Sequence, residues 1–266
     1  MLLVEALELV DYLVSSLGII VSKVINKLEG LYKRHISELN STDEYKQQTT
    51  VLVKEVFDYL RSFTKQVFTS IEERIILAQG EIISTNMVTN YLKEQGISAH
   101  LIAALDYMRT DKNGEPDAAY IKEKITDVLA NSPKAQIYIT QGFICRNING
   151  EIDNLQRGGS DYTASLVGAA IGASEIQIWT DIDGMHNNDP RIVEGTTAVR
   201  HLHFEEAAEL GYFGAKRDIL FVSSLFTLNY CNSISNTISF CIYCYYVRIC
   251  LCNLLNSSTT IYTSSM

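Results

Sequence analysis

The stretch LQRGGSDYTASLVGAAIGASEIQIWT, residues 155–180, decides the fold of this chain. It begins with a loop that contains two adjacent glycines, continues through a predicted helix at 161–171, and ends in a β-rich run at 175–180. Further strands are predicted at 97–105 and 135–144, with a helix at 118–129 between them. Strands that alternate with helices and are apolar on both faces indicate an α/β fold, with a mostly parallel sheet covered on both sides.

The amino-terminal part of the chain is predicted to be helical. Residues 2–68 carry apolar side chains at helical spacing, which indicates a helical lobe over residues 1–70. Within it, residues 40–44 predict a helix start, where Ser41 or Thr42 caps the helix and Glu44 reaches back to the freed amides. Residues 71–95 predict another helix, or a pair of helices broken near Gly80. Acidic residues interrupt the first apolar run and no basic segment precedes it, so we interpret it as a helix and not as a signal peptide.

Composition and charge narrow the class of protein. The 266 residues are 47% hydrophobic and carry 22 basic against 31 acidic side chains, for a formal charge of −9. Such a chain can form one large domain or two modest ones, which excludes disordered and collagen-like classes. Its negative charge disfavours nucleic-acid binding, because phosphates are repelled unless basic side chains gather locally. Residues 1–216 contain only Cys145, as expected of a reduced, cytoplasmic protein.

The composition changes near residue 216. Residues 217–266 contain no glycine or proline, almost no charge, and all the cysteines except Cys145. Cys241 and Cys244 have C-x-x-C spacing, but no matching second pair or histidine follows, so we predict no zinc site. The apolar run at 238–255 approaches membrane-spanning length, yet Arg248 and polar residues dilute it, which disfavours a membrane anchor. We interpret residues 217–266 as an atypical uncharged tail, non-native or frame-shifted.

The loops after residues 144 and 180 are candidate sites, since ligands of open parallel sheets bind beyond the carboxyl ends of the strands. In the first loop, Gly158 and Gly159 let backbone amides approach an anion, and the helix that follows adds about half a positive charge. Arg157 offers a planar fork to a carboxylate, and Ser160 can cap the helix. Asp161 would orient lysines or a metal. An ordinary loop before a capped helix accounts for the same residues.

The second loop, residues 179–191, combines three aspartates with a glycine and an arginine. Its spacing does not match a calcium-binding EF-hand, which needs ligands at alternate positions and a glutamate at the twelfth. The loop instead forms a junction between a strand end and a loop, where Thr180, Asp181 and His186 can bind the ribose and base of a nucleotide. Arg191 can bind a phosphate there.

Four stretches, taken together, resemble aspartate kinases of the amino acid kinase family, Bacteroides type. They are ILAQGEIIST (76–85), LQRGGSDYTASLVGAAIGA (155–173), IQIWTDIDGMHNNDPRIV (176–193) and FEEAAELGYFGAK (204–216). The resemblance covers about residues 1–216, which would form a partial catalytic domain with its sheet and nucleotide region at 71–216. It implies a three-layer αβα fold and transfer of the ATP γ-phosphoryl group to the β-carboxylate of L-aspartate. The product would be 4-phospho-L-aspartate, at the start of lysine, threonine and methionine biosynthesis.

The resemblance also implies roles for residues around the substrate. Glu81 would receive the ammonium group of L-aspartate. Arg157, Gly158, Gly159 and Ser160 would hold its carboxylate and the anionic region beside it.

The resemblance further implies a nucleotide site in which Mg²⁺ is carried by ATP. Asp161 would hold the phosphate-binding lysines in place, and Lys216 would reach the phosphates, so both would be catalytic. The remaining nucleotide contacts would come from Thr180, Asp181, His186 and Arg191, where His186 replaces a more usual tyrosine. No metal ligand from the protein is predicted.

Some features of the family are missing from this sequence. It contains neither the lysine-glycine-glycine-threonine-serine phosphate loop nor, after Lys216, the His-Pro segment and the regulatory ACT domains. We therefore expect a fragment with little kinase activity, because losing one charge-stabilising group costs about 10²–10³ in rate. The alternatives are another amino acid kinase, acting on glutamate, acetylglutamate or a nucleotide, and a non-catalytic remnant. The oligomeric state stays open, a homo-oligomer included.

Overall fold

The computed structural model describes most of the first 203 residues and short segments beyond them. The described residues are 2–65, 69–155, 159–173, 175–179, 186–188, 192–199, 201–203, 206, 209, 237–239 and 260–264, with side chains described in most of them from Ile20 onward. The chain divides into two compact units, Met1–Gln95 and Gly96–Met266.

The first unit is helical, as the helical spacing of its apolar residues predicts. It contains α1 (Leu2–Leu39), α2 (Asp43–Ser62), a short 3₁₀ helix (Phe63–Lys65) and α3 (Ser70–Glu94). Buried apolar side chains from the three α-helices form one cluster, and the ring centroids of Phe57 and Tyr32 are 5.6 Å apart. The cluster consists of Ile25, Ile36, Val53, Val56, Phe57, Ile83 and Met87. Burial of these faces stabilises the helices more than their intrinsic propensity does.

Helix α3 runs unbroken through Gly80, so the predicted break at this glycine is wrong. The helix begins with a capping box, in which the Glu72 carboxylate accepts a hydrogen bond from the Thr69 amide at 2.8 Å. A glycine inside a helix costs only about 1 kcal/mol relative to alanine. One exposed glycine within 25 residues is too small a cost to interrupt a well-capped helix that contributes two side chains to the core.

The turn between α1 and α2 is held by a residue that is distant in sequence. Helix α2 does begin after Thr42, but the Thr42 side chain makes no capping bond and Glu44 does not reach back. Instead, the Glu94 carboxylate accepts hydrogen bonds from the amides of Ser41 and Thr42, at 2.8 and 2.6 Å, and from the Thr42 hydroxyl at 2.7 Å. These bonds lower the pKa of Glu94 to about 2. The predicted helix start is confirmed, whereas the predicted role of Glu44 is wrong.

The second unit alternates strands and helices. Its elements are β1 (Ala99–Ile102), a 3₁₀ helix (Ala104–Asp106), α4 (Ala118–Asn131), β2 (Ile137–Thr140), β3 (Ile144–Arg146), β4 (Ile152–Asn154), α5 (Gly159–Ile171), β5 (Glu175–Trp179), β6 (His201–His203), β7 (Thr237–Ser239) and β8 (Thr260–Ser264). Strands β1 and β2 pair in parallel, with Ala99 opposite Ile137, and helix α4 connects them. This parallel unit confirms the α/β reading of the sequence.

The predicted strand at 135–144 is two strands. Strand β2 ends at Thr140, and β3 begins at Ile144 and pairs antiparallel with β4. The chain leaves the ladder at Gln141, whose side-chain oxygen accepts a hydrogen bond from the Ala104 amide at 2.7 Å. Phe143 then adopts a positive φ of 69°, which lies outside the β region of backbone conformation. The loop at residues 141–143 therefore follows the carboxyl end of a buried parallel strand.

Two short strands of the carboxyl-terminal segment pair with strands of the preceding region. Strand β8 pairs in parallel with β5, and β7 pairs antiparallel with β6. The predicted boundary near residue 216, and the predicted change of character beyond it, fall on residues that are mostly outside the described ones. Among the described helices, none has the length and hydropathy needed to cross a bilayer.

Candidate active site

The loop after β2 and the first turn of α5 are in close contact. A Cβ added to Gly142 would lie 2.9 Å from the Cα, Cβ and Oγ atoms of Ser160. A Cβ added to Gly159 would lie 2.7 Å from Leu155 Cβ and 3.2 Å from Phe143 Cδ2. Both distances are below ordinary van der Waals separation. Glycine on each side of this contact therefore lets the helix begin directly against the loop.

Hydrogen bonds join the same two segments. The Phe143 amide donates to Thr163 Oγ1 at 3.2 Å, and Thr163 Oγ1 donates to the Gly159 carbonyl at 2.7 Å. The Leu155 amide donates to the Phe143 carbonyl at 2.7 Å. Both backbone groups of Phe143 are thereby bonded, which holds the residue in its left-handed conformation.

The first turn of α5 is buried together with its polar side chains. Ser160 and Asp161 are each 6% exposed. Helix α5 begins at Gly159, two residues earlier than predicted, so Ser160 is the second residue of the helix and the prediction that it caps the helix is wrong. Asp161 lies in the first turn, where the helix dipole stabilises negative charge. Arg157 and Gly158, which sequence analysis placed in the same site, lie outside the described residues.

A second loop of this unit lies near α5. Burial raises the pKa of the Tyr162 hydroxyl, and the negative charge of Glu115 raises it further. Glu115 belongs to a turn in which its carbonyl accepts a hydrogen bond from the Asp111 amide at 2.7 Å. The turn is followed by Asp117, whose carboxylate bonds the Arg109 guanidinium at 2.5 Å and accepts from the Tyr120 amide at the start of α4. The Arg109 guanidinium also stacks 3.7 Å above the Tyr120 ring.

Glu81 lies in the first unit, in the middle of α3. It is 9% exposed, so it is neither a helix-start carboxylate nor a surface residue. Its charge acts on Tyr32: burial raises the pKa of the Tyr32 hydroxyl, and Glu81 adds a smaller rise. The Thr85 hydroxyl donates a hydrogen bond to the backbone carbonyl of Glu81 at 2.7 Å. A largely buried carboxylate of this kind is suited to pairing with an ammonium group.

His186 is the residue that the structure describes among the predicted nucleotide-binding residues. It forms a β-bridge with Ala198, and its Nδ1 is hydrogen-bonded to Thr196 Oγ1 at 3.2 Å. The next residue continues the pairing, since the Asn187 amide donates to the Thr197 carbonyl at 3.1 Å. The ring of His186 is thus oriented by a neighbouring hydroxyl. The other predicted nucleotide residues, Thr180, Asp181, Arg191 and Lys216, lie outside the described residues.

Sequence analysis missed the loop at residues 141–143 and the bridging role of Thr163. The available signal was Gly142, which interrupts a β-rich run directly after a buried strand. Because the strand was predicted to continue to residue 144, the loop that follows its true end was not considered. Thr163 gave no signal, since a threonine inside a helix is ordinary.

Comparison with known proteins agrees with the predicted resemblance. The sequence profile of the amino acid kinase family matches residues 10–221. Lysine-sensitive aspartokinase 3 of Escherichia coli is 39% identical over 144 residues, which are 53% of this chain and 32% of the relative. The aspartokinase of Chlamydia pneumoniae is 31% identical over 221 residues, which are 82% of this chain and 47% of the relative. The chain therefore spans between about a third and half the length of these relatives.

Solved structures show the same fold. The crystal structure of E. coli aspartokinase III in complex with aspartate and ADP matches with a TM-score of 0.66 at 22% identity, over 95% of this chain and 56% of that one. The structure of the Clostridium acetobutylicum aspartate kinase matches with a TM-score of 0.60 at 24% identity, over 91% of this chain and 48% of that one. These matches confirm the predicted amino acid kinase-like α/β fold.

Proposed function

The chain belongs to the amino acid kinase family, and from this we propose that it provides the substrate site of an aspartate kinase. The reaction would transfer the γ-phosphoryl group of ATP to the β-carboxylate of L-aspartate. The observation that carries the proposal is the contact between the loop at 141–143 and the first turn of α5. It presents a buried helix amino terminus, the kind of group that binds carboxylates and phosphates.

The predicted substrate residues carry charges complementary to those of an amino acid. The amino terminus of α5, with Arg157, would bind an anionic group, and the buried Glu81 would bind an ammonium group. L-Aspartate carries both kinds of group. The bound aspartate and ADP of the E. coli relative support this choice of ligands.

The proposed reaction needs no general base. The attacking β-carboxylate is already ionised at pH 7, so catalysis depends on positioning and on neutralising charge in the transition state. Asp161 would orient cationic groups around the phosphates, Lys216 would contact them, and Thr180, Asp181, His186 and Arg191 would hold the nucleotide. Mg²⁺ would enter with ATP, because it binds phosphate oxygens in preference to an all-protein cage. We propose that the protein is cytoplasmic. Sedimentation analysis would measure whether it forms a homo-oligomer.

Binding of L-aspartate to the 266-residue chain, measured by isothermal titration calorimetry, tests the proposal. The Glu81→Gln variant removes the charge that would pair with the ammonium group, so the dissociation constant for L-aspartate should rise about 10- to 100-fold. Succinate, which lacks the ammonium group, should bind the variant and the unaltered protein with similar affinity. Glu73→Gln, at an exposed position of the same helix, is the matched control and should leave both affinities unchanged.

Other ligands separate this proposal from its alternatives. Tighter binding of L-glutamate or N-acetylglutamate than of L-aspartate would transfer the assignment to another amino acid kinase. Absence of binding by any of the three would indicate a non-catalytic remnant. A coupled assay of ADP release from ATP and L-aspartate measures phosphoryl transfer by this chain directly.

A further inference from the structure

We propose that Thr163 is a positioning residue, which sets the distance between the loop at 141–143 and the amino terminus of α5. The inference rests on the proposed function, since its consequence is the alignment of the carboxylate-binding end of that helix. Thr163 is the fifth residue of the helix and is 2% exposed, and it belongs to neither the predicted substrate contacts nor the predicted nucleotide contacts.

The Thr163 hydroxyl joins two segments that are otherwise separate in sequence. It donates to the Gly159 carbonyl one turn earlier, a bond that many helical threonines make. It also accepts from the amide of Phe143, which is 20 residues away and outside the helix. A single oxygen therefore connects the first residue of α5 to the loop that follows β2. Any shift of the helix start along its axis must stretch one of these two bonds.

The conformation of Phe143 makes this connection specific. A bulky residue with a φ of 69° is an uncommon conformation that must be maintained by its surroundings. The two hydrogen bonds to its backbone and the packing of its ring against Gly159 supply that restraint. Without the acceptor provided by Thr163, the Phe143 amide loses its partner and the loop can relax toward an ordinary conformation. The ring would then no longer hold the start of the helix.

Gly142 and Gly159 allow the loop at 141–143 and the start of α5 to pack in close contact. No methyl group fits at Gly142 or at Gly159, so the loop and the helix approach as closely as backbone atoms allow. Small displacements of a binding group have large effects on a bound ligand, since hydrogen bonds weaken steeply with distance and angle. Thr163 would thus influence aspartate binding without touching the substrate.

Site-resolved amide hydrogen exchange and aspartate titration of the full chain test this inference. In the unaltered protein, the Phe143 amide should be protected although it lies in a loop. In Thr163→Val, which keeps the shape but removes the hydroxyl, exchange at Phe143 should become at least about tenfold faster, and the aspartate dissociation constant should rise about tenfold. Thr163→Ser keeps the hydroxyl and should restore both values.

Ser165→Ala is the matched control. Ser165 is buried on the same helix and its hydroxyl makes the same kind of bond, to the Asp161 carbonyl at 2.9 Å, four residues earlier. It should lose stability without changing exchange at Phe143 or aspartate affinity. If Ser165→Ala and Thr163→Val weaken aspartate binding equally, or if Thr163→Ser fails to restore it, Thr163 has only a structural role and the inference is wrong.

The exchange measurement separates this inference from the proposed function. It needs no ligand, so failure of the unaltered protein to bind aspartate would refute the function while protection at Phe143 is still measured. Rapid exchange at Phe143 in the unaltered protein would refute the positioning role, and this result does not depend on whether any variant folds.

Discussion

Replacing Gly159 with alanine should destabilise the second unit, because α5 begins where there is no room for a methyl group. The added Cβ would lie 2.7 Å from Leu155 Cβ and 3.2 Å from Phe143 Cδ2. Since carbon atoms in contact are normally about 3.5–4.0 Å apart, Leu155 or the start of the helix must move by about 1 Å. Leu155 is itself buried and its amide is bonded to Phe143, so neither movement is easy.

The magnitude follows from two opposing effects. Inserting a methyl group into a packed site costs about 1–3 kcal/mol. Replacing glycine by alanine in a helix contributes at most about 1 kcal/mol of stability, and less at the first residue, where few helical bonds depend on it. The net change for Gly159→Ala should therefore be a loss of about 1–2 kcal/mol in the free energy of unfolding. Gly80→Ala, in the middle of α3 with nothing within 4 Å of the added Cβ, should instead stabilise the first unit by about 0.5–1 kcal/mol.

Urea unfolding distinguishes these outcomes. Circular dichroism follows both units, and the single tryptophan, Trp179 in β5, reports on the second. Gly159→Ala should lower the midpoint of the fluorescence transition, and Gly80→Ala should raise the midpoint of the helical signal from the first unit. If Gly159→Ala is as stable as the unaltered protein, the close contact between the loop at 141–143 and α5 does not exist as described.

Three further changes probe other parts of the structure. The depressed pKa of Glu94 means that its contribution to stability is present above about pH 4.5 and is lost as the pH falls toward about 2. Glu94→Gln should therefore be less stable at pH 7, and urea titrations at several pH values should show a smaller loss on acidification than for the unaltered protein. Arg109→Lys removes the planar group that bonds Asp117, so a carboxyl NMR titration should show the pKa of Asp117 rising toward 3.8; an unchanged pKa would contradict the pairing. Phe57→Ala empties the centre of the first core and should cost about 3–5 kcal/mol, whereas Tyr59→Ala at an exposed position of the same helix should cost far less in the same unfolding assay.

The sequence predicted those elements whose signals are local. Helix α4 was predicted at 118–129, and the observed helix extends the prediction by only two residues, to Asn131; the structure adds Asp117 as its capping residue. The parallel pairing of β1 with β2 follows from two apolar runs joined by that helix.

Features that depend on distant partners were missed or misread. Glu94 binds the turn at 40–42 across more than 50 residues, and no local pattern indicates that it replaces Glu44 in this role. The strand predicted at 135–144 was too long because Phe143, a residue typical of strands, adopts a conformation that only its tertiary contacts maintain. Of the predicted substrate residues, the described ones, Glu81 and the start of α5, are both buried, but their roles remain proposals.

The position of Glu94 has a mechanical consequence. It is the last residue of α3, and Gly96 begins the second unit. Force applied to the chain at this point would load the charge-assisted hydrogen bonds between the Glu94 carboxylate and the α1–α2 turn. It would therefore not simply unwind the last turn of α3. In a single-molecule pulling experiment, the three-helix unit should therefore yield in one abrupt step, and Glu94→Gln should convert this into gradual peeling from the end of α3.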